Sequence, residues 1–309
     1  MTAVADTRGQ PRGGRPGGGR PGGGRPGGGR SGPGPVAAPA RPKGKRFDVK
    51  TLPGFAVMAW FCVVALYTPI AVLVAYSFND NNTVVIWTQF SVRWYGIAVN
   101  DEEIRDAAFL SLKVAFIASL FATTFATMAA IATTRVPNYR GLTFIYAIIN
   151  QPLMVPEIVT GIATIVFFGL IRQVTGIYGL GYLVTAHIVF CIPFAYLPIR
   201  ARLEDMDRTF ETAAADLYAT PWMAFRHVTF PLLVPGILGG AMLAFLVSLD
   251  DVVISVLVAG PGETTLPLYV VSQIKRGITP ELNAMAAMFL CASTILATLF
   301  FLITRRKAR

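Results

Sequence analysis

From residue 54 onward, long uncharged apolar runs alternate with short polar stretches. A bilayer core of about 30 Å is crossed by roughly 20 apolar helical residues. Six segments meet that length, at about 54–77, 107–133, 142–170, 182–199, 232–259 and 284–304. The first holds Pro69 towards its end, and Lys113 lies close enough to one end of the second to snorkel. The third is long and is interrupted by Pro152 and by Pro156-Glu157, the fourth carries Pro193 and Pro198, and the fifth contains Asp250-Asp251. The pattern predicts an all-α polytopic membrane protein with six transmembrane helices.

One polar stretch, about 200–231, is longer than a connection requires. Asp207 has the chemistry of an N-cap. Phe210, Ala213, Ala214 and Leu217 recur at i, i+3, i+4 and i+7, the spacing of one helix face. Thr220-Pro221 then reads as a second N-cap with proline at the first helical position, and Trp222, Phe225 and Val228 carry an apolar face to Pro231. A helix–turn–helix follows, shaped either as a surface hairpin or as a projection that fits a partner's groove.

Composition agrees with the membrane pattern, while charge at first points elsewhere. The 309 residues are 54% hydrophobic and 14% charged, with a formal net charge of +10. On a soluble protein that charge would suggest nucleic acid. Ten of the 27 Lys and Arg, but one of the 17 Asp and Glu, fall in residues 1–46, so the remaining body is nearly neutral. The 1–46 segment repeats Arg-Pro-Gly-Gly-Gly and has no aromatic residue. It is expected to be a disordered cytoplasmic tail lying near anionic lipid, with no nucleic-acid partner.

Cations in the flanks set orientation. With the N-terminus inside, fifteen Lys and Arg face the cytoplasm and five face outward: Arg93, Arg105, Arg172, Lys275 and Arg276. Both termini are therefore expected inside. Cys62, Cys191 and Cys291 each stand alone in an apolar run, which gives neither a disulfide frame nor metal-ligand spacing.

The run Glu211-Thr-Ala-Ala-Ala-Asp-Leu-Tyr-Ala219, continuing to Val228-Thr-Phe-Pro231, resembles the EAA signature of ABC importer permeases. Glu211, Thr212, Ala213, Ala214, Asp216, Leu217, Tyr218, Pro221 and Pro231 make up this loop. Two positions depart from the signature. Thr212 holds the glutamate slot, with Glu211 one place earlier, and Tyr218 holds the slot of the turn glycine. A tyrosine forced to positive φ costs on the order of 1–2 kcal/mol, which points to a remodelled turn.

Further segments narrow the resemblance. Ser248-Leu-Asp-Asp-Val-Val-Ile-Ser255, Gly260-Pro261, Leu266-Pro267-Leu268, Pro156-Glu-Ile-Val-x-Gly161, and His187 followed by Cys191-Ile-Pro193 are similar to the second permease of spermidine/putrescine importers. The resemblance runs from about residue 50 to the C-terminus. It implies an inner-membrane subunit that forms half of a translocation path, pairs with a second homologous permease, and docks a cytosolic ATPase dimer on the loop. It also implies an extracytoplasmic binding protein that delivers the solute. The chain has no G-x-x-x-x-G-K-[ST] sequence, so ATP is expected on the partner ATPase and no cofactor on this chain.

Glu157, Asp250 and Asp251 are acids at membrane depth, where an ionised carboxylate costs about 2.5 kcal/mol or more. They are candidates for the path of a cationic solute, or for structural bonds to backbone and neighbouring helices. Tyr146, Phe167, Phe168, Phe190 and Tyr196 can hold ammonium groups or simply pack. His187 is expected to hydrogen-bond a neighbouring helix, and Gly236 and Gly240 form a small-residue face for close helix contact. Trp87, Trp94 and Tyr95 suit the outer interface. Other solutes, such as ferric ion or thiamine, fit the same framework. A stand-alone secondary transporter with Asp250 and Asp251 as an ion relay is a different class, and catalytic and metal sites are not expected.

Overall fold

The computed structural model describes residues 54–83, 86–136, 139–176, 179–277 and 279–307. The 1–46 tail expected to be disordered lies outside these residues. Among the described residues the fold is helical, with one isolated antiparallel bridge between Asn79 and Phe90. In chain order the helices are α1 (Phe55–Tyr76), α2 (Arg93–Asn100), α3 (Glu102–Thr134), α4 (Leu142–Met154), α5 (Glu157–Thr175) and α6 (Leu180–Asp205). They continue with α7 (Thr209–Asp216), α8 (Pro221–Ala224), α9 (Phe230–Asp250), α10 (Val253–Val258), α11 (Leu266–Arg276) and α12 (Pro280–Lys307).

Six helical segments are long and apolar enough to cross a membrane, as the hydropathy pattern predicts. Two of the six predicted spans need correction. The third is two helices, because Val155 adopts an extended conformation before Pro156, which has no backbone N–H and disfavours a helical residue ahead of it. Of these, α4 is 13 residues long, and α5, at 19, is the one long and apolar enough to span. The fifth does not run through to residue 259. It stops at Asp250, Asp251 is extended, and α10 starts afresh at Val253.

The centre of the bundle is α3, α6 and α9. Along α3 the buried positions Ala115, Ala118, Ala122, Ala126 and Ala130 form a stripe with almost no side-chain bulk, which brings α6 close. On α9, a Cβ added to Gly240 would sit 2.6 Å from the Ala195 carbonyl oxygen, and one on Gly236 would sit 2.7 Å from Cβ of Arg202. The small-residue face thus serves contact within the subunit, between α9 and α6. Tyr196, Ile199, Leu203 and Leu233 fill the space between these helices. A second cluster joins Ala98, Ile104 and Ala107 to Leu266, Tyr269, Leu282 and Met285, and the Leu266 amide donates to Oγ of Ser111 at 2.7 Å. By contrast, α1 buries none of its side chains.

Asp101 caps α3 by accepting from the Ile104 amide at 3.0 Å, and Glu102 and Glu103 complement the first turn. The segment between α1 and α2 folds on itself. Asn79 bonds the Ile86 carbonyl and the Thr88 amide, and Trp94 donates to the Asn79 carbonyl. Tyr95 and Ser77 share a hydrogen bond, while Trp87 meets Tyr76 edge to face. Hydrogen bonds from Gln89 and Ser91, with a smaller contribution from Arg93, hold the Asp80 carboxyl below its ordinary value.

Candidate functional site

Two groups of residues matter, the polar loop after α6 and the acids at the helix breaks. In the loop, α7 begins at Thr209. Asp207 Oδ1 accepts from the Thr209 amide at 2.9 Å, and the Thr209 hydroxyl donates to the same oxygen. The expected N-cap therefore acts one residue early, and these bonds hold its carboxyl below the ordinary value. Thr220 caps α8 as predicted, its hydroxyl accepting from the Met223 amide at 3.4 Å with Pro221 at the first helical position. Between α8 and α9, residues Phe225–Thr229 form a π-helical turn, placed where Pro231 cannot donate a backbone hydrogen bond.

The turn after α7 is not remodelled. The Ala219 amide reaches the Ala214 carbonyl at 3.0 Å and the Tyr218 amide reaches Ala215 at 2.9 Å, the two bonds of a Schellman motif. Tyr218 adopts φ 60°, the conformation glycine would take there, at a cost on the order of 1–2 kcal/mol. The predicted apolar face is present but uncovered, with Phe210 and Leu217 exposed and no residue of α7 buried.

Glu211, one place ahead of the expected glutamate slot, anchors the loop. Its Oε1 accepts from Arg135 Nε at 2.9 Å and from Thr229 Oγ1 at 3.0 Å. Thr212 bonds only within its own helix, to the Arg208 and Thr209 carbonyls. Arg208 donates to the Thr134 carbonyl at 2.7 Å, and Arg202 donates to the Leu232 carbonyl at 3.1 Å. The end of α3, the loop and the start of α9 are thereby tied together. Sequence spacing carried no sign of the Arg135–Glu211 pair, because the partners are 76 residues apart.

At the break in the fifth span the two aspartates diverge. Asp251 is buried and caps α10: Oδ2 accepts from the Ser255 amide at 2.9 Å and the Ser255 hydroxyl at 3.2 Å, and Oδ1 from the Ile254 amide at 3.4 Å. His187 on α6 lies between the two sides, with Nδ1 2.9 Å from Ser248 Oγ and Nε2 3.3 Å from Ser255 Oγ. A neutral imidazole with its proton on Nε2 satisfies every link from Ser248 through His187 and Ser255 to Asp251. His187 thus hydrogen-bonds a neighbouring helix, as expected.

Asp250 is exposed and faces a 510 Å³ cavity. It is the single ionisable residue of a wall built from Ile70, Leu73, Leu249, Leu266, Met285 and Phe289, among others. Glu157 opens α5, directly after the break at Pro156, with its carboxyl half-buried near Asp251. The two helix breaks therefore bring together acids that are 94 positions apart in sequence.

Most of the candidate aromatics are occupied inside the fold. Arg200 covers the face of Tyr146 at 4.4 Å, Phe168 stacks on Tyr182 at 4.6 Å, and Tyr196 is buried with its hydroxyl 2.9 Å from Thr133 Oγ1. Phe190 is buried beside Phe194, while Phe167 is exposed. Among the described residues there is no group of three or more His, Cys, Asp and Glu placed to hold a metal ion.

A multi-span helical protein with an anchored polar loop and acids at broken spans belongs to the class of membrane transport subunits. Residues 122–309 match the family described as binding-protein-dependent transport system inner membrane component, and the chain belongs to that family. It is 39% identical over 230 residues to the putrescine transport system permease protein PotI of Escherichia coli K12, covering 74% of this chain and 82% of that protein. It is 36% identical over 262 residues to the spermidine/putrescine transport system permease protein PotC of Haemophilus influenzae, covering 84% and 98%. The fold is shared with a bacterial alginate ABC transporter crystallised in complex with an alginate pentasaccharide-bound periplasmic protein. The TM-score is 0.60 at 16% identity, over 82% of this chain and 91% of the other. The chain is a multi-pass inner-membrane transport subunit.

Proposed function

We propose that this chain is the permease subunit of an ATP-driven importer of polyamines such as putrescine and spermidine, and forms half of their transmembrane path. The observation that carries the reading is Asp250, the single ionisable residue lining a largely apolar cavity at the break of the fifth span. A polyamine is a methylene chain with ammonium groups, so apolar walls hold the chain while the carboxylate pairs with one ammonium. Glu157, beside Asp251 at the other break, is a second station. The names of the relatives support this solute class.

In this reading the loop at 209–229 docks a cytosolic ATPase dimer, which binds the ATP. A second permease completes the path and an extracytoplasmic binding protein delivers solute; the complex with a periplasmic protein in the alginate transporter supports that last partner. Both termini face the cytoplasm, where the excess of flanking cations lies. Closure of the ATPases would move the loop, and its ties to α3 and α9 would pass the motion to the bundle.

Uptake of radiolabelled putrescine and spermidine tests this in cells that lack their own polyamine importers and express the whole transporter. Asp250→Asn, which removes the charge and keeps the shape, lowers uptake about tenfold or more at equal protein level. Unchanged uptake would remove Asp250 from the path.

A further inference from the structure

Along their contact, α6 and α9 meet rung by rung. A Cβ on Gly240 would sit 2.6 Å from the Ala195 carbonyl oxygen, and the Cys191 thiol reaches the Ala244 carbonyl at 3.4 Å. Four residues further along each helix, His187 Nδ1 lies 2.9 Å from Ser248 Oγ. Ala195, Cys191 and His187 thus stand in register with Gly240, Ala244 and Ser248, one face against the other. The first two rungs meet backbone. The third joins two buried side chains at the last turn of α9, where the helix runs out of N–H partners for its final carbonyls.

That same turn carries Asp250. Residues two apart on a helix are rotated by about 200°, so a Ser248 held against α6 sends Asp250 to the opposite side. There Leu246, Leu249 and Asp250, at i, i+3 and i+4, line the 510 Å³ cavity. Asp251 ends the span without His187, since its carboxylate already takes the Ile254 and Ser255 amides and the Ser255 hydroxyl. On its other side α10 is packed tightly on α5, where a Cβ on Gly161 would sit 2.4 Å from Leu257 Cδ1. What the imidazole adds is the tie to the last turn of α9. Apolar residues would fill this space equally well, but a satisfied buried hydrogen bond specifies one rotation.

We propose that His187 is a positioning residue for Asp250: its bond to Ser248 fixes the rotation of the last turn of α9, and with it the side from which the carboxylate meets an ammonium group of the solute. The proposal rests on Asp250 lying on the path. Asp250 touches the solute, and His187 acts through it from the opposite face of the helix.

The test follows labelled putrescine uptake over a range of concentrations by the whole transporter, at equal yield of folded protein. Ser248→Ala removes the donor and leaves the three bonds to Asp251 in place. It raises KM about fivefold while the maximal rate holds. His187→Phe, a flat ring without the acceptor, gives a similar rise; should it not fold, Ser248→Ala decides alone. Beside Asp250→Asn, Ser248→Ala adds nothing to KM, because the carboxylate it orients is gone. A role in stability alone lowers the thermal midpoint and leaves the KM of the folded transporter native. A native KM in Ser248→Ala therefore overturns the proposal, as does a rise that persists in full beside Asp250→Asn. If Asp250→Asn by itself leaves uptake unchanged, the path reading fails and the positioning role goes with it. If Asp250→Asn lowers uptake and Ser248→Ala keeps a native KM, the role of His187 alone falls.

Discussion

Asp251 accepts from two backbone amides and one hydroxyl, whereas Asp250 beside it lines an apolar cavity. Substitutions should separate these surroundings. Asp251→Ala leaves the Ile254 and Ser255 amides and the Ser255 hydroxyl without an acceptor, at a cost of about 1–3 kcal/mol for each buried group. Its thermal midpoint in detergent falls by several degrees, and an unchanged midpoint would contradict the capping role. Asp250→Asn leaves that midpoint in place and acts on uptake alone. At Gly240, a valine would push against the Ala195 carbonyl and Ile199, and overpacking of this kind costs about 1–3 kcal/mol. Gly240→Val is expected to lower the yield of folded protein, and a native yield would show that α6 and α9 can move apart freely.

At the level of elements, hydropathy made the six spans legible, because length and apolarity alone define a helix that crosses a bilayer. The breaks were half legible. Pro156 marks the end of α4 by its chemistry, but Asp251 ends the fifth span through bonds to Ser255 and a network with His187, which is 64 positions earlier. Helical periodicity found the exposed face of α7, since Phe210 and Leu217 share it. It did not find the turn geometry, which the Schellman bonds impose on Tyr218 despite its side chain. Nor did it find the loop's anchor, which depends on Arg135 arriving from the end of α3. Arg135→Ala removes that partly buried partner, at about 1–2 kcal/mol. Amide exchange across residues 209–229 should then speed up several-fold, and unchanged exchange would show that other contacts hold the loop.

For the whole molecule, the charge of +10 describes the tail more than the transporter, whose body is nearly neutral. Its spans instead carry three acids gathered at two helix breaks. The proposed inside placement of the loop has its own check. Trypsin added to inside-out vesicles should cut at Arg208 or Arg226 while the same sites in right-side-out vesicles stay intact; the reverse pattern would invert the topology. As proposed, ATP drives the movement of a polyamine through this subunit. It is tested most directly in proteoliposomes holding the chain with the ATPase, second permease and binding protein proposed for it, by following labelled putrescine. Accumulation should require ATP, be displaced by spermidine but not by ferric ion or thiamine, and be lost in Asp250→Asn. Accumulation without ATP, or of a non-polyamine solute instead, would contradict it.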